Sequence, residues 1–428
     1  MKRLRSTLIA LAIFCFALLI RIIYNITIAQ GYVPQYDARS YESIALHLLK
    51  DQCYCIANSI PTVGRAPAWP TVIAIIYYMM GPQNLYARYF LCALGAGTCV
   101  LLYLLASTLF TRRIGILVGI LAALYPGLYI YDGWLYSESM YTFLLFTSIY
   151  VLFQLQRTEQ VRWAVLCGVL LGLLSLTRPN GIAVIALALL WLLIIGKLYH
   201  WSWHNIARSI VLILMISVAI IAPWTIRNYT VANAFVPVAI GDGTVLAGAY
   251  NNRILPESEV QGQWVSALRT NPDIGRSYGN CSDAAGDTRR DAALKQRAVQ
   301  WVEHHVTTLP YLLGLHFIKL WTPITPEADL PMNQFPHRHS SQFVVILLET
   351  VSSPLFLLAA FGLWATRHKW RDLLFVYFIA AMTIVQSLYF YGSSRFRAPI
   401  EPLVLLFVAG TLWWIFSKIP LKSIMRPS

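Results

Sequence analysis

Apolar residues run along this chain in long blocks, broken by short polar connections that are mostly basic. A membrane-spanning helix needs about 17–25 mostly apolar residues. Ten blocks are read as spans: 8–28, 86–110, 114–131, 138–155, 163–177, 181–197, 209–224, 341–365, 372–391 and 398–417. Two of them, 163–177 and 181–197, are short and are separated by a "TRPNG" break. Two further apolar runs, "PAWPTVIAIIYYMM" (67–80) and "LPYLLGLHFIKLW" (309–321), are too short to cross. They predict helices that lie in or dip into the outer interface. The expected fold is an all-α polytopic bundle of about ten transmembrane helices, with two large external loops carrying interfacial helices. The chain divides into a seven-helix module (1–224) that includes external loop 29–85, an external cap region (225–340) and a three-helix segment (341–428).

Composition agrees with this plan. Only 12% of residues are charged and 57% are hydrophobic, whereas soluble domains carry about 25% charged residues. A soluble class is excluded. The net charge of +14 does not point to nucleic acid, because the basic residues cluster in the connections and orient the chain. Cytoplasmic loops are enriched in Lys and Arg. "MKRLR" places the N-terminus in the cytoplasm, and alternation then places 111–113, 156–162, 197–208, 367–371 and the tail 418–426 there as well. Both termini are expected inside, in a multi-pass protein of the cell (inner or plasma) membrane. The N-terminal stretch opens like a signal peptide. Its apolar run continues to about Ile28 with no small-residue cleavage site, so it reads as a retained helix.

Of seven cysteines, Cys15, Cys92, Cys99 and Cys167 fall in apolar blocks as packing residues. Cys53, Cys55 and Cys281 are external, where a disulfide is permitted. Cys53 can bridge Cys55, or one of them can bridge Cys281. The histidine clusters His304–His305 and "HRH" (337–339) have no metal-ligand spacing.

The same alternation leaves five arginines on the outer surface, where orientation would not put them. They are Arg65 in "VGRAPAWP", Arg178 in "LTRPNG", Arg227 in "PWTIRNY", and Arg395 and Arg397 in "SSRFRAPIEP". Each could snorkel or pair with a carboxylate such as Glu401. Together they suit an anionic lipid head group, because a guanidinium fork matches phosphate oxygens. Pro399 can open the last helix, leaving Arg395 and Arg397 just before an anion-binding N-terminus. Carboxylates lie at the same depth. Asp37 starts an amphipathic helix in "YDARSYESIALHLLK" (36–50), as a cap, a catalytic base or both. Asp132 and Glu138 lie in "YDGWLYSESMYTF" (131–143), where Ser137 can cap the next helix. Tyr36, Trp69 and Trp134 are candidates to pack on a sugar or lipid, or to anchor the chain at the membrane interface.

The order "YDARSYESIA", "RAPAWPTVIAIIY", "YSESMYTFLL", "GLLLGLLSLTRPNG", "APWTIRNY…FVPV" and "SRFRAPIEPLVLL" resembles bacterial GT-C glycosyltransferases. The nearest branch contains protein O-mannosyltransferases and lipid A aminoarabinose transferases. The resemblance implies a GT-C-like bundle and an enzyme that takes a sugar from a polyprenyl-phosphate donor. The sugar would pass to an acceptor hydroxyl on a glycan, lipid or protein at the external (periplasmic) face, with inversion. It implies Asp37 as catalytic base and Glu138 as the second acidic position. It also implies Arg65, Arg227, Arg395 and Arg397, with Arg178, as donor-phosphate contacts. The first loop has one Asp where the family has an adjacent acidic pair, and no sizeable C-terminal domain is expected. No cofactor is expected; a divalent metal stays open, as does the acceptor class. The competing readings are an O-antigen ligase or polymerase, and a lipid-linked sugar flippase or transporter. A flippase needs a polar route across the membrane, and the spans are nearly uncharged.

Overall fold

The computed structural model describes residues 2–57, 60–255, 258, 260–278, 283–323 and 338–418. The N-terminal half contains α1 (Lys2–Thr27), α2 (Tyr36–Asp51), α3 (Ala68–Met80), α4 (Asn84–Leu109), α5 (Arg112–Leu124) and α6 (Pro126–Tyr129). A 3₁₀ turn (Ile130–Gly133) leads to α7 (Glu138–Thr158), α8 (Val161–Thr177), α9 (Gly181–Leu198) and α10 (Trp203–Ala232). After α10 come α11 (Asp242–Ala249), α12 (Ala267–Thr270), α13 (Pro272–Tyr278), α14 (Ala284–His304) and α15 (Leu309–Trp321). The chain ends in α16 (Arg338–Ala365), α17 (Trp370–Tyr389), α18 (Ser394–Arg397) and α19 (Glu401–Lys418). The described residues contain no β-strand.

Eight helices among the described residues are long and apolar enough to cross a membrane. They coincide with eight of the ten predicted blocks. The other two blocks are shorter or broken. Block 163–177 forms the 17-residue α8, which ends where Arg178 turns extended before Pro179. Block 114–131 is bent by 65° between α5 and α6. Tyr125 is extended there because it precedes Pro126, which also cannot continue the hydrogen-bond ladder. The two short apolar runs form α3 and α15, as separate helices.

Three helix starts or ends differ from expectation. α10 runs past residue 224 to Ala232, so Arg227 lies on a helix. The N-cap of α2 is Gln35, so Asp37 lies inside the first turn and does not cap. Ser393 caps α18, and a 3₁₀ turn containing Pro399 joins α18 to α19. Arg395 and Arg397 are therefore in a helical turn, not ahead of one.

α7 and the α18–α19 span are the most buried, and α1 and α10 face outward most. α8 and α10 approach closely because α8 has glycines at the contact. A Cβ on Gly168 or Gly172 would come within 2.9 Å of Ile216 or Ile220. The Ser217 hydroxyl donates to the Gly168 carbonyl at 3.0 Å. Between α10 and α16, Asp291 of α14 accepts the backbone N–H groups of Gly243 and Thr244 at 3.1 and 2.9 Å, which caps α11. Cys53 and Cys55 form a disulfide; Cys281, and with it the alternative bridge, lies outside the described residues, as does the "HRH" cluster's first residue.

Candidate active site

Residues far apart in sequence meet at one end of the bundle. Asp37 comes from the first turn of α2, and Arg65 from the loop before α3. Glu138 is the first residue of α7, Arg178 follows α8, and Arg395 is in α18. Asp37 Oδ1 accepts from Arg65 Nη2 at 2.7 Å, and Asp37 Oδ2 from Arg395 Nη2 at 2.8 Å. Arg395 also donates from Nε to Glu138 Oε1 at 2.5 Å, and Arg178 Nη1 reaches the same oxygen at 3.3 Å. The chain of contacts is thus Arg65–Asp37–Arg395–Glu138–Arg178. Three cations and two anions leave one positive charge in excess.

The network has a floor and a rim. The Glu138 side chain is 1% exposed, while those of Asp37 and Arg65 are 27% and 33% exposed. The guanidinia rest on rings: Arg395 lies 4.5 Å over Tyr136, Arg65 5.8 Å over Tyr41, and Arg178 5.9 Å over Tyr141. Burial alone would raise the Asp37 pKa. Arg65 and then Arg395 outweigh it and hold the carboxyl well below the ordinary carboxylate range. The ion pair correspondingly raises Arg65. Tyr36, beside Asp37, has a left-handed backbone (φ 50°), which a bulky residue seldom adopts. Tyr36 is 64% exposed, whereas Trp69 and Trp134 are fully buried. Of the three rings expected to face substrate, Tyr36 alone reaches the surface.

The other candidates sit elsewhere. Arg227 donates to the Thr62 carbonyl at 2.6 Å and to the Asn228 side chain at 3.1 Å, and its guanidinium lies 4.8 Å over Trp224 and 5.3 Å over Tyr54. It borders the site through the 53–66 loop, since the Tyr54 hydroxyl donates to the Ala66 carbonyl at 3.0 Å. Arg397 is turned away. Its Nε donates to Glu401 at 2.6 Å, and its Nη atoms donate to the carbonyls of Leu320, Thr322 and Pro323. It clamps the end of α15 onto α19. Asp132 is buried and pairs with Arg21 of α1 at 2.8 Å, outside the network. Arg21 was not singled out from the sequence. The signal was present: an arginine inside an apolar block is costly and calls for a partner.

An apolar groove of ≈ 500 Å³ runs between α9 and α10. Ile182 and Ile226 line it, so it includes residues close in sequence to Arg178 and Arg227. The described residues hold no group of three or more His, Cys, Asp or Glu side chains placed to bind a metal. The guanidinium of Arg395 already stands between the two site carboxylates, and a divalent cation would have to displace it.

Residues 64–226 match the model of the family described as dolichyl-phosphate-mannose-protein mannosyltransferase. That segment contains Arg65, Glu138 and Arg178. By sequence, no curated protein matches the chain. Among solved structures, the chain is similar to the archaeal oligosaccharyltransferase AglB from Archaeoglobus fulgidus, in complex with an inhibitory peptide and a dolichol-phosphate. The TM-score is 0.58 at 13% identity, covering 98% of this chain and 51% of that one. The same enzyme tethered to an acceptor peptide gives 0.57 at 14% identity, covering 96% and 50%. The chain thus spans about half the length of these oligosaccharyltransferase chains. ArnT from Cupriavidus metallidurans bound to undecaprenyl phosphate aligns with a TM-score of 0.42 at 13% identity, covering 94% and 77%. The chain shares, across nearly its whole length, the fold of the archaeal oligosaccharyltransferase.

Proposed function

We propose that the protein is a membrane glycosyltransferase that moves a sugar from a polyprenyl-phosphate donor to an acceptor hydroxyl at the external face of the cell membrane. The observation that carries this reading is the single network in which Asp37 meets Arg65 and Arg395 at the mouth of a membrane bundle. The likeness to a fold whose solved member holds a dolichol-phosphate supports it.

The donor's isoprenoid tail lies in the α9–α10 groove, and its phosphate reaches Arg65, Arg178, Arg227 and Arg395. Arg397 is left out of this set because its guanidinium is committed to Glu401 and three carbonyls. The phosphate oxygens compete with Asp37 for the Arg65 and Arg395 forks, which favour phosphate. Asp37 then regains basicity and accepts the proton of the acceptor hydroxyl. The acceptor oxygen attacks the anomeric carbon, and the bond to the phosphate oxygen breaks with its electron pair. The polyprenyl phosphate leaves on the opposite face, so the anomeric centre inverts, and the arginines stabilise the developing charge. Glu138 orients Arg395 and Arg178 from below.

A transfer assay with radiolabelled polyprenyl-phosphate sugar tests the reading. Asp37→Asn, which removes the charge and keeps the shape, should lower transfer roughly 10²–10⁴-fold while donor lipid still binds. Near-normal turnover in that variant would remove Asp37 as the base. A wild-type protein that carries lipid-linked sugar across a bilayer and transfers none would support the transporter reading instead.

A further inference from the structure

α1 presents Arg21, Tyr24 and Asn25 on one face, at the i, i+3 and i+4 spacing of helical neighbours. All three are buried and grip one segment. Arg21 Nε donates to Asp132 Oδ2 at 2.8 Å, and Asn25 Nδ2 to the Asp132 carbonyl at 3.3 Å. The Tyr24 hydroxyl donates to the Ile130 carbonyl at 3.2 Å. From α4, buried Arg88 donates to the Gly133 carbonyl at 3.2 Å. A Cβ on Gly95 would lie 2.4 Å from Asp132 Oδ2 and 2.6 Å from Arg21 Nε, so α4 carries glycine where the pair passes. This segment leads directly into Glu138.

Between the pair and Glu138 is a cavity of ≈ 20 Å³, lined by Arg21, Asp132, Glu138, Ser139 and Thr142. It is large enough for one water molecule. Glu138 Oε1 holds Arg395 and Arg178, while its other oxygen, Oε2, is buried and has no hydrogen-bond partner among the described residues. A buried carboxylate oxygen without a donor is costly, and a water donating to Glu138 and Asp132 at once removes that cost.

We propose that the buried Arg21–Asp132 pair positions Glu138, by fixing the 130–137 segment and by sharing one cavity water with the Glu138 carboxylate, and so sets the aim of Arg395 and Arg178. The inference rests on the transferase reading for its catalytic consequence. Its structural core, the coupling of Asp132 to Glu138, does not.

The test is a double-mutant cycle on the full-length protein in lipid nanodiscs, with Asp132→Asn, Glu138→Gln and both together. If Asp132 acts through Glu138, Asp132→Asn should lower kcat about tenfold or more in the native background, and little further once Glu138 is Gln. Equal losses in both backgrounds would mean a purely structural pair and would overturn the proposal. If Asp132→Asn folds poorly, Arg21→Met with Asp132→Leu replaces the pair by apolar groups, an exchange that is often neutral for stability. That variant should keep its melting temperature and lose kcat; wild-type kcat in it would also overturn the proposal. If the wild type transfers no sugar, the transferase reading fails, and the cycle is then read in melting temperature. Non-additive shifts support the coupling, and additive shifts refute it.

Discussion

Arg395 and Arg397 stand two positions apart in one helical turn, and successive residues rotate by about 100°. Their side chains therefore diverge, one into the ion network and the other into the clamp on Glu401 and α15. Arg397→Ala should lower stability by roughly 3–5 kcal/mol, because it leaves Glu401 buried without its cation; thermal melting in detergent checks this. Arg395→Ala should instead slow sugar transfer with a smaller change in melting. Asp37 supplies a pH prediction. Arg65 is the larger of the charges that hold its carboxyl low, so Arg65→Gln should raise the Asp37 pKa. The acid limb of the kcat/KM profile should then move to higher pH. The sign for stability follows from the same depression. The contribution of ionised Asp37 is complete above its unfolded value of about 3.9 and is lost as pH falls toward the lower folded value.

Helix ends and close approaches do most to shape the elements. Pro126 and Pro179 each force the preceding residue out of the helix, and the bend at Pro126 turns the chain toward Asp132 and Glu138. The Tyr125 hydroxyl beside that bend donates to Glu401 at 2.9 Å, so the break is fastened to α19. Gly168 decides how near α10 lies to α8, and with it where Arg227 and one wall of the groove stand. Gly168→Leu should separate the two helices and cost about 1–3 kcal/mol, as overpacking does. A lower melting temperature is the expected readout, accompanied, on the proposed donor reading, by weaker retention of a polyprenyl phosphate. Unchanged melting would show that α10 can shift without cost.

At the scale of the whole molecule, the orientation inferred from the basic connections is directly testable. Gln296 of α14 and Gln160 between α7 and α8 are both exposed. In a background freed of reactive native thiols, Gln296→Cys should react with an impermeant reagent in intact cells, and Gln160→Cys should not; the reverse pattern would invert the topology. The sequence by itself determined the places of the eight membrane-length helices among the described residues, since burying about 20 residues in hydrocarbon leaves a pattern that survives without contacts; the break at Pro126 and the 17-residue extent of α8 came from the structure. It also located five arginines that orientation did not explain, Arg65, Arg178, Arg227, Arg395 and Arg397, with Asp37, Asp132 and Glu138 at the same depth. It had no means of pairing them, because ion pairs such as Asp37–Arg395 join residues hundreds of positions apart and leave no local period. Nor could it separate Arg395 from Arg397, or draw Arg21 and Asp132 together across α1 and the 3₁₀ turn. Those assignments depend on which helix faces meet, and packing at positions such as Gly95 and Gly168 fixes that only once the chain has folded.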